Sequence, residues 1–112
     1  MKILITGSPS FIENHLESFL PSDVTEILCC SNKGIDLCAK IYAIRNSIPY
    51  SIFLPDYTKY GNNANIVRNQ IIAEYSDYAI VFWDGNSQET KEIINTFKSI
   101  NKTIYIIRRI KY

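Results

Sequence analysis

"AIVFWDGNSQET", Ala79–Thr90, contains the transition on which the fold turns. An apolar run from Ala79 to Trp83 stops at Asp84-Gly85, and small polar residues follow. A helical pattern then runs over Ser87–Ile100, with Ile93, Ile94, Phe97 and Ile100 expected to face inward. A nearly continuous apolar strand is buried on both faces, as strands of parallel sheets are. A strand that passes through a short loop into a helix is half of a strand–helix–strand unit.

Outward from this stretch the same alternation fills the chain. Strands are expected at Lys2–Thr6, Val24–Cys30, Pro49–Leu54, Tyr78–Trp83 and Thr103–Arg108. A first helix is expected from Pro9 to Leu20. Pro9 suits a first helical position, Ser10 and Glu13 have capping-box spacing, and Ile12, Leu16, Phe19 and Leu20 fall on one face. A second helix is expected over Ile35–Asn46 with Cys38, Ile41, Tyr42 and Arg45 on one side. A third follows the polar connection "DYTKYGNNA" and ends near Tyr75. The pattern predicts a single domain over residues 1–112: a small three-layer, Rossmann-like α/β domain. Its five-stranded parallel sheet would have order 3-2-1-4-5 with helices on both faces. The flavodoxin-like order 2-1-3-4-5 is the alternative.

Composition narrows the function classes. The 112 residues are 46% apolar and 21% charged, a globular balance that can form a core without metal or disulfide. The net charge of +1 offers no basic stripe for nucleic acid, which is therefore not an expected partner; the locally basic "IIRRIKY" end reads as a solvated tail. No apolar run approaches the roughly 18–20 residues of a membrane span, and "MKILITG" lacks the apolar length and cleavage site of a signal peptide. A soluble, cytoplasmic protein with no membrane partner is expected. Cys29, Cys30 and Cys38 do not have metal-ligand spacing, and His15 has no second ligand near it, so no metal site is expected. No cofactor is indicated either.

In open parallel sheets, ligands bind beyond the carboxyl ends of the strands, where the strand order reverses. Here that point lies between the first and fourth strands, whose loops are "TGSPS" and "WDGNSQET". Helix N-termini expected at Ser8 and Ser87 would favour an anion, Gly7 and Gly85 permit close backbone approach, and Ser8, Ser87 and Thr90 add hydroxyls. The nucleotide and hydrolase fingerprints GxGxxG, GxxxxGK[ST], GxSxG and HExxH are absent.

Four segments resemble a known family. They are "TGS" with Phe11 (family TGSRDF), "SNKGID" at Ser31–Asp36 (family GGARGAD), "DYTKYGNNANIVRN" at Asp56–Asn69 (family DWxKYGKxAGxxRN) and "FWDGNSQET" (family FWDGxSxGT). Over Ile3–Ile107 the chain resembles the SLOG superfamily, the Rossmann-like group of LOG phosphoribohydrolases and DprA proteins, and within it the small YspA-like (YpsA-related) branch. The resemblance implies a nucleotide or nucleotide-derived ligand and a homodimer. The residues it carries over are Gly7, Ser8, Lys33, Gly34, Asp36, Lys59, Tyr60, Arg68, Asn69, Asp84, Gly85, Ser87 and Thr90, with Ser31, Trp83 and Glu89 beside them. Lys33 and Arg68, the latter at the opening of the third helix, would neutralise phosphate. Asp36 or Asp84 would accept from ribose hydroxyls. Trp83, Tyr57 or Tyr60 would stack on a base.

The departures matter as much. Cys30 and Ser31 replace two family glycines, Pro9 replaces the first-loop Arg, and Glu89 replaces the Gly before Thr90. Glu89 would compete with a phosphate at the helix end. Ile93 stands where the LOG-like enzymes carry their catalytic Glu, and Glu92 is one residue off, about 100° around the helix. A nucleotide-binding domain is the leading expectation. A LOG-like nucleoside-monophosphate hydrolase, or a degenerate member acting through protein contacts, are the alternatives.

Overall fold

The computed structural model describes residues 1–109; the sequence-level reading of Ile110, Lys111 and Tyr112 as part of a basic tail falls outside them. The strands are β1 (Lys2–Gly7), β2 (Glu26–Cys29), β3 (Tyr50–Ile52), β4 (Tyr78–Trp83) and β5 (Ile104–Arg108). The helices are α1 (Gly34–Arg45), the short α2 (Tyr57–Tyr60), α3 (Ala64–Tyr75) and α4 (Gln88–Ser99). All strand pairs are parallel, in the order β3-β2-β1-β4-β5. The fold is the small Rossmann-like α/β domain that the alternation predicts. No helix among the described residues is long and apolar enough to cross a membrane.

The pleat divides the apolar strand residues between two cores. Ile3, Ile5, Ile27, Cys29, Ile80 and Phe82 face α1, where Ile35, Ala39 and Ala43 meet them. Leu4, Leu28, Ala79 and Val81 face the other way, onto Ile72 and Ala73 of α3 and Ile93, Ile94 and Phe97 of α4. Each fully buried Leu, Ile or Phe contributes roughly 1.5–3 kcal/mol. The two clusters therefore hold helices on both faces of β1, the central strand.

Three expectations are corrected. The segment from Pro9 to Leu20 forms no α-helix; only Leu16–Ser18 makes a 3-10 turn. Its buried residues include Phe11 and Leu16, whereas Ile12 is 66% exposed. Phe11 and Leu16 are five residues apart, which on a helix would turn them about 140° from each other. A non-helical course lets both reach the core, and Ser10, Asn14 and His15 add little helix propensity to oppose it. In α1 the inward face is Ile35, Asp36, Ala39 and Ala43, while Ile41 is exposed. Small alanines let the helix backbone approach the sheet, and the larger side chains flank it. Ile100 lies beyond the last turn of α4 and is also exposed.

Gly7 is fixed by proximity. A Cβ there would lie against the Phe82 carbonyl oxygen and 2.9 Å from the Phe82 Cβ. It would pry apart the carboxyl ends of β1 and β4. Gly7→Ala is expected to destabilise the protein by about 1–3 kcal/mol through overpacking. Urea unfolding measures this, and an unchanged midpoint would mean that the two strand ends separate without cost.

Candidate functional site

Beyond the carboxyl ends of β1 and β2, the starts of α1 and α4 and the N-terminal half of α3 enclose a cleft of about 420 Å³. Of the residues expected from sequence, Gly7, Ser31, Lys33, Asp36, Tyr57, Arg68, Glu89 and Thr90 line it. Thr6, Pro9, Cys30, Pro55, Asn65 and Ile93 complete the wall.

The floor is organised by Asp36, in the first turn of α1 and only 2% exposed. Thr6 Oγ1 donates to its carboxylate at 2.9 Å, and the backbone N–H groups of Cys30 and Ser31 donate at 2.8 and 3.1 Å. One carboxylate thus ties the end of β1, the β2–α1 loop and α1 together. Gly34 lets the loop close: its φ is +53°, and a Cβ would lie 2.5 Å from the Pro9 carbonyl oxygen.

Arg68 does not open α3 as expected but sits in its second turn. Its Nε donates to Asn69 Oδ1 at 2.8 Å, and its Nη1 donates to the carbonyls of Cys30 and Phe53 at 3.3 and 3.2 Å. Asn69 is buried and lies outside the cleft wall; its part is to orient the guanidinium. No acceptor among the described residues engages Nη2. Lys33, immediately before α1, is exposed and adds a second positive charge to the wall.

The β4–α4 turn is spent on itself. Ser8 is fully buried; its N–H donates to the Phe82 carbonyl at 2.8 Å, and its Oγ accepts from Asp84 N–H at 3.1 Å. With no helix after it, Ser8 presents no N-terminus to a ligand. Asp84 Oδ1 accepts from the N–H groups of Asn86 and Ser87, both at 2.8 Å. These bonds, that of Ser87 foremost, hold its carboxyl below the usual carboxylate range. Ser87 Oγ pairs with Thr90 Oγ1 at 3.0 Å, and Trp83 Nε1 donates to the Ser87 carbonyl at 3.2 Å. The Arg108 guanidinium lies 5.4 Å from the Trp83 ring and faces Gly85. Trp83, Asp84, Gly85 and Ser87 therefore shape the turn rather than the cleft wall.

Lys59 and Tyr60 also lie outside the cleft, with Lys59 Nζ 5.2 Å from the Tyr60 ring. Their neighbour Tyr57 lines it, donating its hydroxyl to Asn65 Oδ1 at 3.3 Å. Thr6 and Asn65 were not expected from sequence. A hydroxyl on the last strand residue before Gly7 was the available signal for Thr6; Asn65, inside a helical pattern, carried none.

The chemistry of the wall is limited. Burial raises both adjacent thiols, Cys30 to about 12 and Cys29 still further, so neither provides a thiolate near neutral pH. No cluster of potential metal ligands occurs among the described residues. Ile93 brings an apolar side chain to the wall where the LOG-like pattern has Glu, and Glu92 is not in the wall. Comparisons with protein-family models, with curated proteins and with solved structures return no match for this chain.

Burial raises the Asp36 carboxyl from 3.8 to about 6, against the opposing effect of its hydrogen bonds. The folded state then binds its proton more tightly than the unfolded state. Stability from this group is fully present below about pH 4 and is lost as pH rises through about 6, by on the order of 3 kcal/mol. Asp36→Asn can still accept from the Cys30 and Ser31 N–H groups and can donate to Thr6. It is expected to fold and to lack this slope between pH 4 and 6.5 in urea titrations. Asp36→Ala, which orphans both N–H groups, is expected to be destabilised by about 2–5 kcal/mol. A wild-type slope matching that of Asp36→Asn would remove Asp36 as its source.

Proposed function

We propose that the cleft beyond β1, β2 and α4 binds a nucleotide or a nucleotide-derived small molecule, and that the chain is a degenerate relative of the SLOG group, nearest its YspA-like branch. The observation that carries the reading is Arg68. Its guanidinium is held by three hydrogen bonds in the wall of a cleft beside the strand-order switch point, with Nη2 left for a ligand. A guanidinium fixed in this way can receive a phosphate with little further ordering. Lys33 adds charge nearby. Tyr57, at the rim and 59% exposed, offers a face on which a base can stack. The volume suits a ligand of nucleotide size. The "DYTKYGNNANIVRN" segment supplies Tyr57, Asn65 and Arg68 to the wall, and of these Arg68 is the one that matches the family pattern.

Calorimetric titration with a panel of nucleoside mono- and diphosphates tests the reading. Arg68→Ala is expected to weaken binding of the best ligand by about 1.5–3 kcal/mol, the value of a charged hydrogen bond. Because Arg68 also serves the Cys30 and Phe53 carbonyls, the variant's fold is checked by circular dichroism in the same buffer. Unchanged affinity in a folded variant would count against the assignment. Chromatography for released base after incubation with the same nucleotides distinguishes binding from N-glycosidic cleavage.

A further inference from the structure

The cleft wall carries opposite charges that do not neutralise one another. Arg68 and Lys33 contribute positive charge on one part of the wall, and Glu89 contributes a carboxylate from the first turn of α4. Among the described residues Glu89 makes no ion pair and no side-chain hydrogen bond, although cations line the same cleft. The arrangement has a reason on each side. Arg68 is anchored by Cys30, Phe53 and Asn69 and cannot swing toward Glu89 without breaking those bonds. Glu89 is favoured where it is by the positive end of the α4 dipole.

The start of α4 is consequently a poor place for a phosphate. Asp84 takes the N–H groups of Asn86 and Ser87 just ahead of the helix, and within its first turn the Glu89 charge repels a further anion. A bound nucleotide would direct its phosphate to Arg68 and Lys33 and a hydrogen-bond donor to Glu89. In a carboxylate-lined part of a cleft, an exocyclic amino group gains a charge-assisted hydrogen bond. A carbonyl at the same position meets like charge and is rejected.

We propose that Glu89 is the specificity-determining residue of the cleft, accepting from the exocyclic amino group of the bound base, so that the ligands are nucleotides of amino-bearing bases. This rests on the nucleotide reading given above. The ligand is oriented with the amino edge of its base toward Glu89 and its phosphate toward Arg68 and Lys33.

The test uses pairs that differ at the exocyclic group and at the ring nitrogen beside it, which carries hydrogen only in the oxo member: AMP with IMP, and CMP with UMP. Affinities are measured by calorimetry for the wild type and for Glu89→Gln, which keeps the shape and removes the charge. The amino member of at least one pair is expected to bind the wild type at least about tenfold more tightly. In Glu89→Gln that ratio is expected to fall at least about fivefold, with the oxo member gaining affinity. Equal affinity within both pairs, or a uniform gain for all four nucleotides in Glu89→Gln, would overturn the proposal and leave Glu89 as a repulsive charge only. Failure of every nucleotide to bind either protein would overturn the nucleotide reading itself, and this inference with it.

Discussion

A single buried carboxylate carries much of this architecture. Asp36 belongs to α1, yet its acceptors are filled by Thr6 from β1 and by the backbone of Cys30 and Ser31 after β2. The Cys30 carbonyl in turn accepts from Arg68 on α3. Cys30 thus connects a buried anion on one face of the sheet with a guanidinium on the other. A buried carboxylate is costly unless its lone pairs are satisfied, and three donors from two elements do that here. The same donors fix the loop whose backbone forms one wall of the cleft. Site geometry and fold stability are consequently set by the same few bonds.

The two ends of the cleft are built by different means. At the β2–α1 end the protein uses buried polar contacts and leaves Lys33 and Arg68 facing the opening. At the β4–α4 end, Ser8, Asp84, Ser87 and Thr90 satisfy one another and the local backbone. From that end Glu89 and Thr90 reach the cleft wall. The unpaired N–H donors of a helix start ordinarily draw an anion, and the Glu89 carboxylate in the first turn of α4 opposes that preference.

Much of the fold was legible because its signals are local and redundant. The apolar runs at Lys2–Thr6 and Tyr78–Trp83, the turn residues after them and the period of Ile93, Ile94 and Phe97 all agree; handedness leaves two doubly wound orders, of which the chain adopts 3-2-1-4-5. The first crossover misled because Ile12, Leu16, Phe19 and Leu20 can be read on one helical face, whereas Phe11, Leu16 and Phe19 are in fact held by the distant surface formed by Ile5, Ile80 and Phe82. The site was legible in part. Arg68 and Glu89 stood out as a match to and a departure from a pattern. The roles of Ser8, Asp84 and Asn69 were not visible, because whether a polar side chain faces a ligand or a neighbouring N–H depends on the three-dimensional course of chain far away in sequence. Asp36 was read as a partner for ribose hydroxyls, and only the convergence of Thr6 and Cys30 shows it to be interior.

The central strand lies at the beginning of the chain, and one of its two partners lies near the end. Ile3 pairs with Tyr78 and Gly7 with Phe82, so the registry of β1 is completed only when about three-quarters of the 112 residues are present. Bringing such distant segments together carries a loop-closure cost before any burial compensates for it, and topologies dominated by non-local pairing fold slowly. During synthesis the first strands can pair with one another while the edge of β1 that β4 will occupy remains open. The cleft, whose walls include Thr6 from the first strand and Glu89 from the last helix, comes into being late. Its formation is a matter of chain order: a wall that joins the first strand to α4 cannot exist until residues as far apart as Thr6 and Glu89 are both present and packed.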